Sequence, residues 1–258
     1  MKTFANKAVL VTGGSSGLGF EMARQLAAQG AAVSICGRSQ EKLERASRLA
    51  PELSIIRCDV ADAGDRRTLY DEVQKRHGRL DLLVNNAGVG TRYLLAKAED
   101  LERKVVAEWR TNFLAPLLLA REFLDLLARS SGTLVNVSSG LAYVPLSVEP
   151  SYCASKAALH SMTQSMRFQY SQSGVDVVEI FYPAVDTPFQ GGHAPANALK
   201  PEKAAALALR GLQAGKSEIR VGMAALIYSM SRLMPRRALK MINGFIPDNV
   251  EEILAREG

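Results

Sequence analysis

The 258-residue chain has only three cysteines and three histidines, and neither set has the spacing of a metal site. Cys36, Cys58 and Cys153 are odd in number and widely separated, which excludes a disulfide framework and a cysteine metal cluster. The histidines likewise lack the spacing of zinc ligands. We therefore expect no catalytic metal, and the free thiols fit a reducing cytoplasm.

Long hydrophobic runs are also scarce. The first residues lack the apolar stretch and the small-residue cleavage site of a signal peptide, so export is not expected. The longest uncharged apolar stretch near the end, residues 221–231, is far shorter than the roughly 20 residues that a membrane-spanning helix needs. The formal charge of +6 is not gathered into a basic stripe with interleaved aromatics, so nucleic-acid binding is not expected either.

Short β-branched or apolar runs alternate along the chain with longer segments of helical period. The runs cover residues 8–11, 31–36, 53–56, 80–84, 133–137, 175–181 and 218–221. Their interiors carry few polar residues, as in strands covered on both faces, and the segments between them are long enough for crossover helices. The sequence therefore predicts one α/β domain over residues 1–258: a Rossmann-like, doubly wound, seven-stranded parallel sheet with helices on both faces.

The loop after the first run, residues 12–19, is rich in glycine. Glycines let a backbone approach a diphosphate, and the N-terminus of the following helix offers free N–H groups and a positive dipole end. The spacing matches neither the G-x-G-x-x-G fingerprint nor a Walker motif, and a tight turn that packs the helix on the sheet is the alternative. The predicted cofactor contacts in this loop are Gly13, Ser15, Ser16, Gly17, Leu18 and Gly19.

No acidic residue ends the second run, where a site for NAD would place one against the ribose hydroxyls. Arg38 and Ser39 stand there instead, and a guanidinium suits a 2′-phosphate. This predicts NADP(H) as the preferred cofactor and NAD(H) as the second choice. The alternative is that Arg38 is a surface residue paired with a carboxylate such as Glu41.

Tyr152 and Lys156 are four residues apart, so on a helix the phenol and the ammonium share one face. Opposite charges about 4 Å apart at an effective dielectric near 20 interact by roughly 4 kcal/mol. That is the order of stabilisation needed to lower a tyrosine pKa by about three. Taken alone the spacing is a weak signal, since any helical tyrosine can meet a lysine one turn later.

Ser139 follows the fifth run and therefore reaches the same edge of the sheet. Its hydroxyl can donate to a carbonyl oxygen on which negative charge develops. The alternative is that the Ser-Ser-Gly sequence at residues 138–140 is only a turn.

Taken together, these motifs resemble the short-chain dehydrogenases/reductases. The resemblance rests on Thr12-Gly13-x-x-x-Gly17-x-Gly19, Asp59-Val60, Asn85-Asn86-Ala87-Gly88, Asn112, Ser139 and Tyr152-x-x-x-Lys156. It covers the chain up to about Val221, and Ser139 precedes Tyr152 by thirteen residues, as the family pattern asks.

The resemblance implies a role for each matching residue. Beyond the glycine loop and Arg38, the implied cofactor contacts are Asp59, Val60, Asn86, Ala87, Gly88, Tyr152, Lys156, Pro183, Val185 and Thr187. Asp59 would contact the adenine, although an aspartate there could instead cap a helix. Thr187 would contact the nicotinamide carboxamide. Asn112 would hold a water in a proton relay behind Lys156.

The implied activity is an NAD(P)-dependent oxidoreductase acting on CH–OH and C=O groups. Tyr152 is the predicted acid/base, assisted by Lys156, Ser139 and Asn112. The alternative is a protein that binds NADP(H) as a sensor or scaffold without catalysis. The family also implies a homodimer or homotetramer.

The stretches expected to contact a small-molecule carbonyl or alcohol are residues 89–95, 141–148 and 189–199. Many are apolar, which favours an apolar substrate, and the alternative is packing among themselves or against a subunit. Residues 188–201 have the small and turn-forming residues of a lid. The family has a glycine at the position of Ala184, so an alanine there would be strained if the backbone needs a positive φ.

The C-terminal segment, residues 222–258, is amphipathic and basic in its first part. Pro235 interrupts it. Three roles remain open for it from the sequence: covering the substrate cleft, packing against a partner subunit, or making a peripheral contact with an anionic membrane.

Overall fold

The computed structural model describes residues 2–191 and 194–246. Gly192, His193 and residues 247–258 lie outside the described residues. Part of the predicted lid and the end of the predicted C-terminal extension therefore have no structural description.

The described chain contains all seven predicted strands, each displaced from its prediction by at most two residues at either end. They are β1 (Ala8–Thr12), β2 (Ala32–Gly37), β3 (Ser54–Arg57), β4 (Leu82–Asn85), β5 (Thr133–Ser139), β6 (Asp176–Tyr182) and β7 (Glu218–Arg220). They form one sheet in the order β3-β2-β1-β4-β5-β6-β7, and every pairing is parallel. The predicted fold class is confirmed.

Helices connect the strands and cover both faces of the sheet. They are α1 (Gly17–Ala28), α2 (Gln40–Leu49), α3 (Ala63–His77), α4 (Leu101–Trp109), α5 (Ala115–Glu122), α6 (Leu124–Ala128), α7 (Pro150–Ser171), α8 (Pro201–Gln213), α9 (Met223–Leu233) and α10 (Pro235–Asn243). A π-helical turn, Arg110–Leu114, joins α4 to α5. Two helix ends have clear local causes: Ser39 caps α2 by accepting from the Lys42 N–H at 3.3 Å, and α1 stops before Gly30, which has φ +85°.

Two hydrophobic cores lie on opposite faces of the sheet, because successive strand residues point to opposite sides. In β1, Val9 and Val11 belong to the core under α1, α2 and α8, whereas Leu10 belongs to the core under α3, α5 and α7. All three side chains are fully buried. Burial on both faces explains why the strands read as continuous apolar runs rather than as alternating ones.

Within the described residues, no three His, Cys, Asp or Glu side chains come together in a way that could hold a metal ion. None of the helices over those same residues is long and apolar enough to cross a membrane. The three cysteines are buried and unpaired.

Candidate active site

A cleft with a volume of about 790 Å³ lies at the carboxyl ends of the strands. The loops after β1 to β6 line it, as expected for a doubly wound sheet. Every residue predicted from the sequence to bind the cofactor or act in catalysis lines this one cleft, with the exception of Asn112. The topology thus brings together residues that are up to 174 positions apart, from Gly13 to Thr187.

The glycine loop packs tightly against the loop after β4. A Cβ atom at Gly13 would come within 2.8 Å of the Ala87 Cα. A Cβ atom at Gly19 would come within 2.4 Å of the side-chain nitrogen, Nδ2, of Asn86. That nitrogen donates to the carbonyls of Thr12 at 2.9 Å and Gly13 at 3.2 Å. The alternative reading of this loop, a tight packing turn, is therefore part of its role.

The same loop also presents an anion site. Ser16 is the N-cap of α1, and its side chain makes no capping hydrogen bond. The first N–H groups of α1 consequently keep their donor capacity, and they stand at the positive end of the helix dipole. Gly17, with φ +54°, lies against Thr187, whose Cβ would be 3.2 Å from a Cβ atom at Gly17. The donor set suits the diphosphate of a dinucleotide.

Arg38 lies exposed at the end of β2, on the rim of the cleft. Within the described part of the chain it forms no ion pair, so the alternative pairing with Glu41 is not realised. Ser39 is already engaged as the α2 cap. Lys42, one turn into α2, lines the cleft as well and was missed from the sequence. Its position three residues after the Ser39 cap, one helical turn from Arg38, could have identified it in the sequence.

Asp59 follows β3 and lines the cleft beside Val60. Its carboxylate accepts a hydrogen bond from the Ala61 N–H at 3.0 Å. The cap of α3 is Asp62, which accepts from the Asp65 N–H at 2.9 Å. The structure therefore removes the alternative reading of Asp59 as a helix cap.

Tyr152 and Lys156 share one face of α7, as their spacing predicts. The Lys156 Nζ lies 5.8 Å from the centroid of the Tyr152 ring and donates to the Val137 carbonyl at 2.9 Å. Lys156 is buried, whereas the half-buried Tyr152 opens on the cleft. Strand β5 therefore holds the ammonium close to the phenol.

Burial dominates the proton affinities of this pair. It lowers the pKa of Lys156 to about 8, against the opposing charge of Glu179. Burial also raises the pKa of Tyr152 above its usual value, with a further rise from Glu149, while a hydrogen bond with Ser139 acts in the lowering direction. The spacing of Tyr152 and Lys156 predicts a lowered phenol pKa. In the structure the direction is reversed, because desolvation of the phenolate outweighs the lowering effect of the Ser139 hydrogen bond.

Ser139 is the last residue of β5 and is buried at the base of the cleft. Its hydroxyl accepts from the Leu141 N–H at 3.1 Å, which starts a short 3₁₀ turn over Gly140–Ala142. Ser139 therefore starts a turn and also lines the cleft. A hydrogen bond between the Ser139 hydroxyl and the phenol of Tyr152 works to lower the phenol pKa.

Asn112 lies in the π-helical turn, fully buried behind the cleft wall. Its side-chain oxygen accepts from the Val89 N–H at 2.9 Å, and its nitrogen donates to the Val89 carbonyl at 2.8 Å and to the Ser155 hydroxyl at 3.1 Å. These bonds fix the loop after β4, where Gly88 passes beside Lys156. A Cβ atom at Gly88 would lie 3.9 Å from the Lys156 Nζ.

Ala184, in the loop after β6, does not have the positive φ that would strain an alanine. The non-glycine residues with positive φ among the described ones are Asn6, Asp100 and Ser131. Ala184 is not one of them, and its carbonyl accepts from the Leu199 N–H at 3.1 Å. A parallel bridge between Val185 and Leu199 closes the base of the predicted lid.

The start of the predicted lid contacts Tyr152. Pro188–Gln190 forms a 3₁₀ turn that places the Phe189 ring 5.5 Å from the Tyr152 ring, centroid to centroid. A Cβ atom at Gly90 would come within 2.8 Å of the Phe189 Cζ, so an alanine at position 90 would require the ring to shift.

An ion pair missed from the sequence connects the lid to the start of α7. The Arg92 Nε donates to Glu149 at 2.8 Å, and its guanidinium also donates to the Gln190 side chain at 3.0 Å. All three residues line the cleft. Pairs 57 and 98 residues apart leave no periodic signal in a sequence.

The C-terminal helices close the apolar end of the cleft. Side chains from the segment after β7 that line it are Met223, Ile227, Ile242, Phe245 and Ile246. Ile227 and Ile242 also pack with Val144 in a small third core. Of the three roles left open by the sequence, covering the cleft is therefore observed for the inner side of these helices.

Known proteins are similar to this chain in sequence and architecture. A sequence model of the family described as short chain dehydrogenase matches residues 7–197. The uncharacterized oxidoreductase DltE of Bacillus subtilis is 40% identical over 191 residues, which is 70% of this chain and 73% of that protein. The 11-beta-hydroxysteroid dehydrogenase 1A of Arabidopsis thaliana is 36% identical over 169 residues, which is 63% of this chain and 48% of that protein.

A solved structure shows the same likeness in three dimensions. The short chain dehydrogenase of Burkholderia cenocepacia, crystallised in complex with NADP, has a TM-score of 0.83 and 27% sequence identity, and the match covers 95% of this chain and 100% of that one. The family model spans β1 to the lid and therefore contains the glycine loop, Ser139, Tyr152 and Lys156. The chain belongs to the short chain dehydrogenase family.

Proposed function

We propose that the protein transfers a hydride between NADP(H) and a carbonyl or secondary alcohol, with Tyr152 as the acid/base. The observation that carries this proposal is the shared cleft: the half-buried phenol, the buried ammonium of Lys156 and the uncapped N-terminus of α1 all face one cavity. Catalytic groups and an anion site in one cavity are the arrangement of a dinucleotide-dependent enzyme.

The residues of the cleft fit NADP(H). The glycine loop would hold the diphosphate, and Arg38 with Lys42 would hold the 2′-phosphate, since both are cations on the same rim. Asp59 and Val60 would flank the adenine, while Pro183, Val185 and Thr187 would border the nicotinamide end. When bound, NADPH supplies the hydride. The relative from Burkholderia cenocepacia, which binds NADP, supports this choice.

In reduction, Tyr152 gives its proton to the carbonyl oxygen of the substrate. The raised pKa of the phenol keeps that proton in place at neutral pH. Ser139 donates to the same oxygen and fixes its position. Lys156 is cationic below about pH 8 and stabilises the phenolate that Tyr152 leaves behind.

We propose an apolar substrate for this site. Leucine, isoleucine and valine side chains from the loop after β5 and from the C-terminal helices line the cleft beyond Tyr152, namely Leu141, Leu146, Val148, Ile227 and Ile242. The hydroxysteroid dehydrogenase relative acts, by its name, on an apolar ring system. A ring ketone or its alcohol is therefore the first substrate class to test.

The test is NADPH oxidation by the full chain with a panel of apolar and polar carbonyl compounds. Tyr152→Phe should abolish turnover and leave the Kd for NADPH nearly unchanged, because it removes the proton and keeps the ring. Tyr170→Phe, on the same helix and away from the cleft, is the matched control. Retained turnover in Tyr152→Phe would refute the role of Tyr152, and NADPH binding without turnover across the panel would favour the sensor alternative.

We also propose that the protein is a homodimer or homotetramer. Large apolar side chains stand exposed on α4, on α7 and in the turn before α5, with Val106 at 41%, Phe168 at 82% and Leu114 at 42%. Light scattering on the purified full chain measures the mass, and a monomer at micromolar concentration would contradict the proposal.

A further inference from the structure

Helices α9 and α10 carry a strongly one-signed surface, which we call the basic face. Residues 222–246 contain four cations, Arg232, Arg236, Arg237 and Lys240, and no aspartate or glutamate. In the described part of the chain none of the four forms an ion pair. Arg232 lies over the Tyr228 ring at 5.5 Å, and Arg237 contacts the Met234 sulfur at 3.6 Å. No carboxylate among residues 2–191 and 194–246 therefore neutralises these charges.

Large apolar side chains are exposed among these cations. Leu226 is 52% exposed, Leu233 78%, Leu239 46% and Phe245 57%. The inner sides of the same helices are already buried, since Ala238 and Ile242 are at most 6% exposed. The two helices thus present apolar groups both to the cleft and to the outside. An exposed apolar patch mixed with unpaired cations needs a partner that is anionic and apolar at once.

We propose that the basic face docks on the surface of an anionic phospholipid bilayer. Lipid phosphates and carboxylates complement the four cations, while Leu226, Leu233 and Phe245 enter the boundary between headgroups and acyl chains. Each cation near an anionic membrane contributes on the order of 1 kcal/mol. The apolar side chains add a contribution to the free energy of membrane binding that salt does not screen.

A second copy of the chain fits this face less well. A twofold contact would place the same patch against itself and bring four cations to face four cations with no acidic residue of the patch between them. Contact with a bilayer avoids that repulsion. Residues 247–258 contain four acidic side chains, so they are the other candidate occupant that the chain itself offers.

Docking would also place the mouth of the cleft at the membrane. Phe245 is exposed and lines the cleft at the same time, and Ile246 and Met223 line it beside Phe245. An apolar substrate dissolved in the bilayer would then enter between α9 and α10 without crossing water. This second step rests on the proposed function, whereas docking itself does not.

The experiment is co-sedimentation of the full-length protein with vesicles of phosphatidylcholine alone or with about a third phosphatidylserine. We expect binding to the anionic vesicles that weakens as salt rises, because exposed charges are screened. The quadruple variant Arg232→Gln, Arg236→Gln, Arg237→Gln, Lys240→Gln should bind up to about a thousandfold more weakly. The matched control, Arg45→Gln, Arg48→Gln, Arg67→Gln, Lys75→Gln, removes four exposed cations from α2 and α3 and should bind nearly as well as the unchanged chain.

A second variant, Leu226→Ser with Leu233→Ser, should weaken the binding that remains at high salt. Equal losses in the quadruple variant and its control would overturn the proposal, as would an absence of binding to anionic vesicles. Binding that appears only after the acidic residues of 247–258 are changed to amides would assign the face to that segment. Loss of self-association in the leucine variant with unchanged vesicle binding would assign its apolar part to a second copy.

NADPH binding and turnover of a water-soluble carbonyl are measured without vesicles on the same proteins. Among residues 2–246, none of the substituted side chains lines the cleft, so these values should not change in the arginine, lysine and leucine variants. A protein that docks on vesicles and lacks turnover would therefore contradict the proposed function and leave the docking intact.

Discussion

Replacing Arg38 by alanine should weaken NADPH binding and leave NADH binding unchanged. Arg38 is exposed and has no carboxylate partner in the described structure, so its removal breaks no ion pair there. The loss in affinity is then the interaction with the 2′-phosphate alone, a group that NADH lacks.

The size of the effect follows from the exposure of the side chain. A guanidinium about 4 Å from a phosphate of charge near −2 gains roughly 2 kcal/mol in water. Screening at physiological salt, with a Debye length of about 8 Å, reduces this to a little more than half. Since about 1.4 kcal/mol is a tenfold change, the Kd for NADPH should rise about eightfold at physiological salt and about thirtyfold at very low salt.

Fluorescence titration of both cofactors at low and high salt measures the effect. The ratio between the Kd values of Arg38→Ala and the unchanged protein should shrink as salt rises, and Lys42→Ala should show a smaller loss in the same direction. Arg45→Ala, exposed on α2 and outside the cleft, is the control. Equal weakening of NADPH and NADH would refute the reasoning, because it would mean that Arg38 acts through the fold.

Three further predictions concern groups that the structure places around the site and under the sheet. Glu179→Gln removes the charge that supports the ammonium of Lys156, so the alkaline fall of the reductase rate, expected near pH 8, should move to lower pH; a pH profile identical to that of the unchanged protein would contradict this. Gly90→Ala should push the Phe189 ring off Tyr152 and change KM several-fold at constant NADPH affinity, and in a double-mutant cycle with Phe189→Ala the effects should not add. Asp81→Asn should lower the free energy of unfolding by roughly 2–3 kcal/mol in urea titrations, because the buried carboxylate accepts from Lys7 at 2.8 Å and from the Ala8 N–H at 2.9 Å. Burial works against the charged form, yet these bonds hold the pKa of Asp81 below its usual value, so this contribution should be present at neutral pH and lost as the pH falls through the folded-state pKa; a destabilisation that is the same at pH 3 and pH 7 would count against it.

The fold could be predicted because its signals are local. Strands buried on both faces give apolar runs, and parallel strands send all their carboxyl ends to one edge. The position of Arg38, Asp59 and Ser139 at that edge follows from chain order alone. The glycine loop could also be predicted from the sequence. Its glycines are needed for close packing against Asn86 and Ala87 as well as for the approach of a phosphate.

The connections across the cleft could not be predicted, because they depend on tertiary distance. Arg92 meets Glu149 and Gln190 only in the folded structure, where the three residues come from separate segments of the chain. Phe189 meets Tyr152 for the same reason. The electrostatic outcome was likewise hidden: spacing puts a cation near Tyr152, but only the surrounding packing determines that desolvation raises the phenol pKa.

The opposite pKa shifts of Tyr152 and Lys156 favour one direction of the proposed reaction. Reduction needs a phenol that carries its proton and a lysine that is cationic, and the two states coexist below about pH 8, where Lys156 titrates. Oxidation needs a phenolate, which burial disfavours, and raising the pH to form it also removes the charge of Lys156 that would stabilise it. The protein residues by themselves therefore hold the site ready to donate a proton at neutral pH, which agrees with the preference for NADPH that Arg38 indicates.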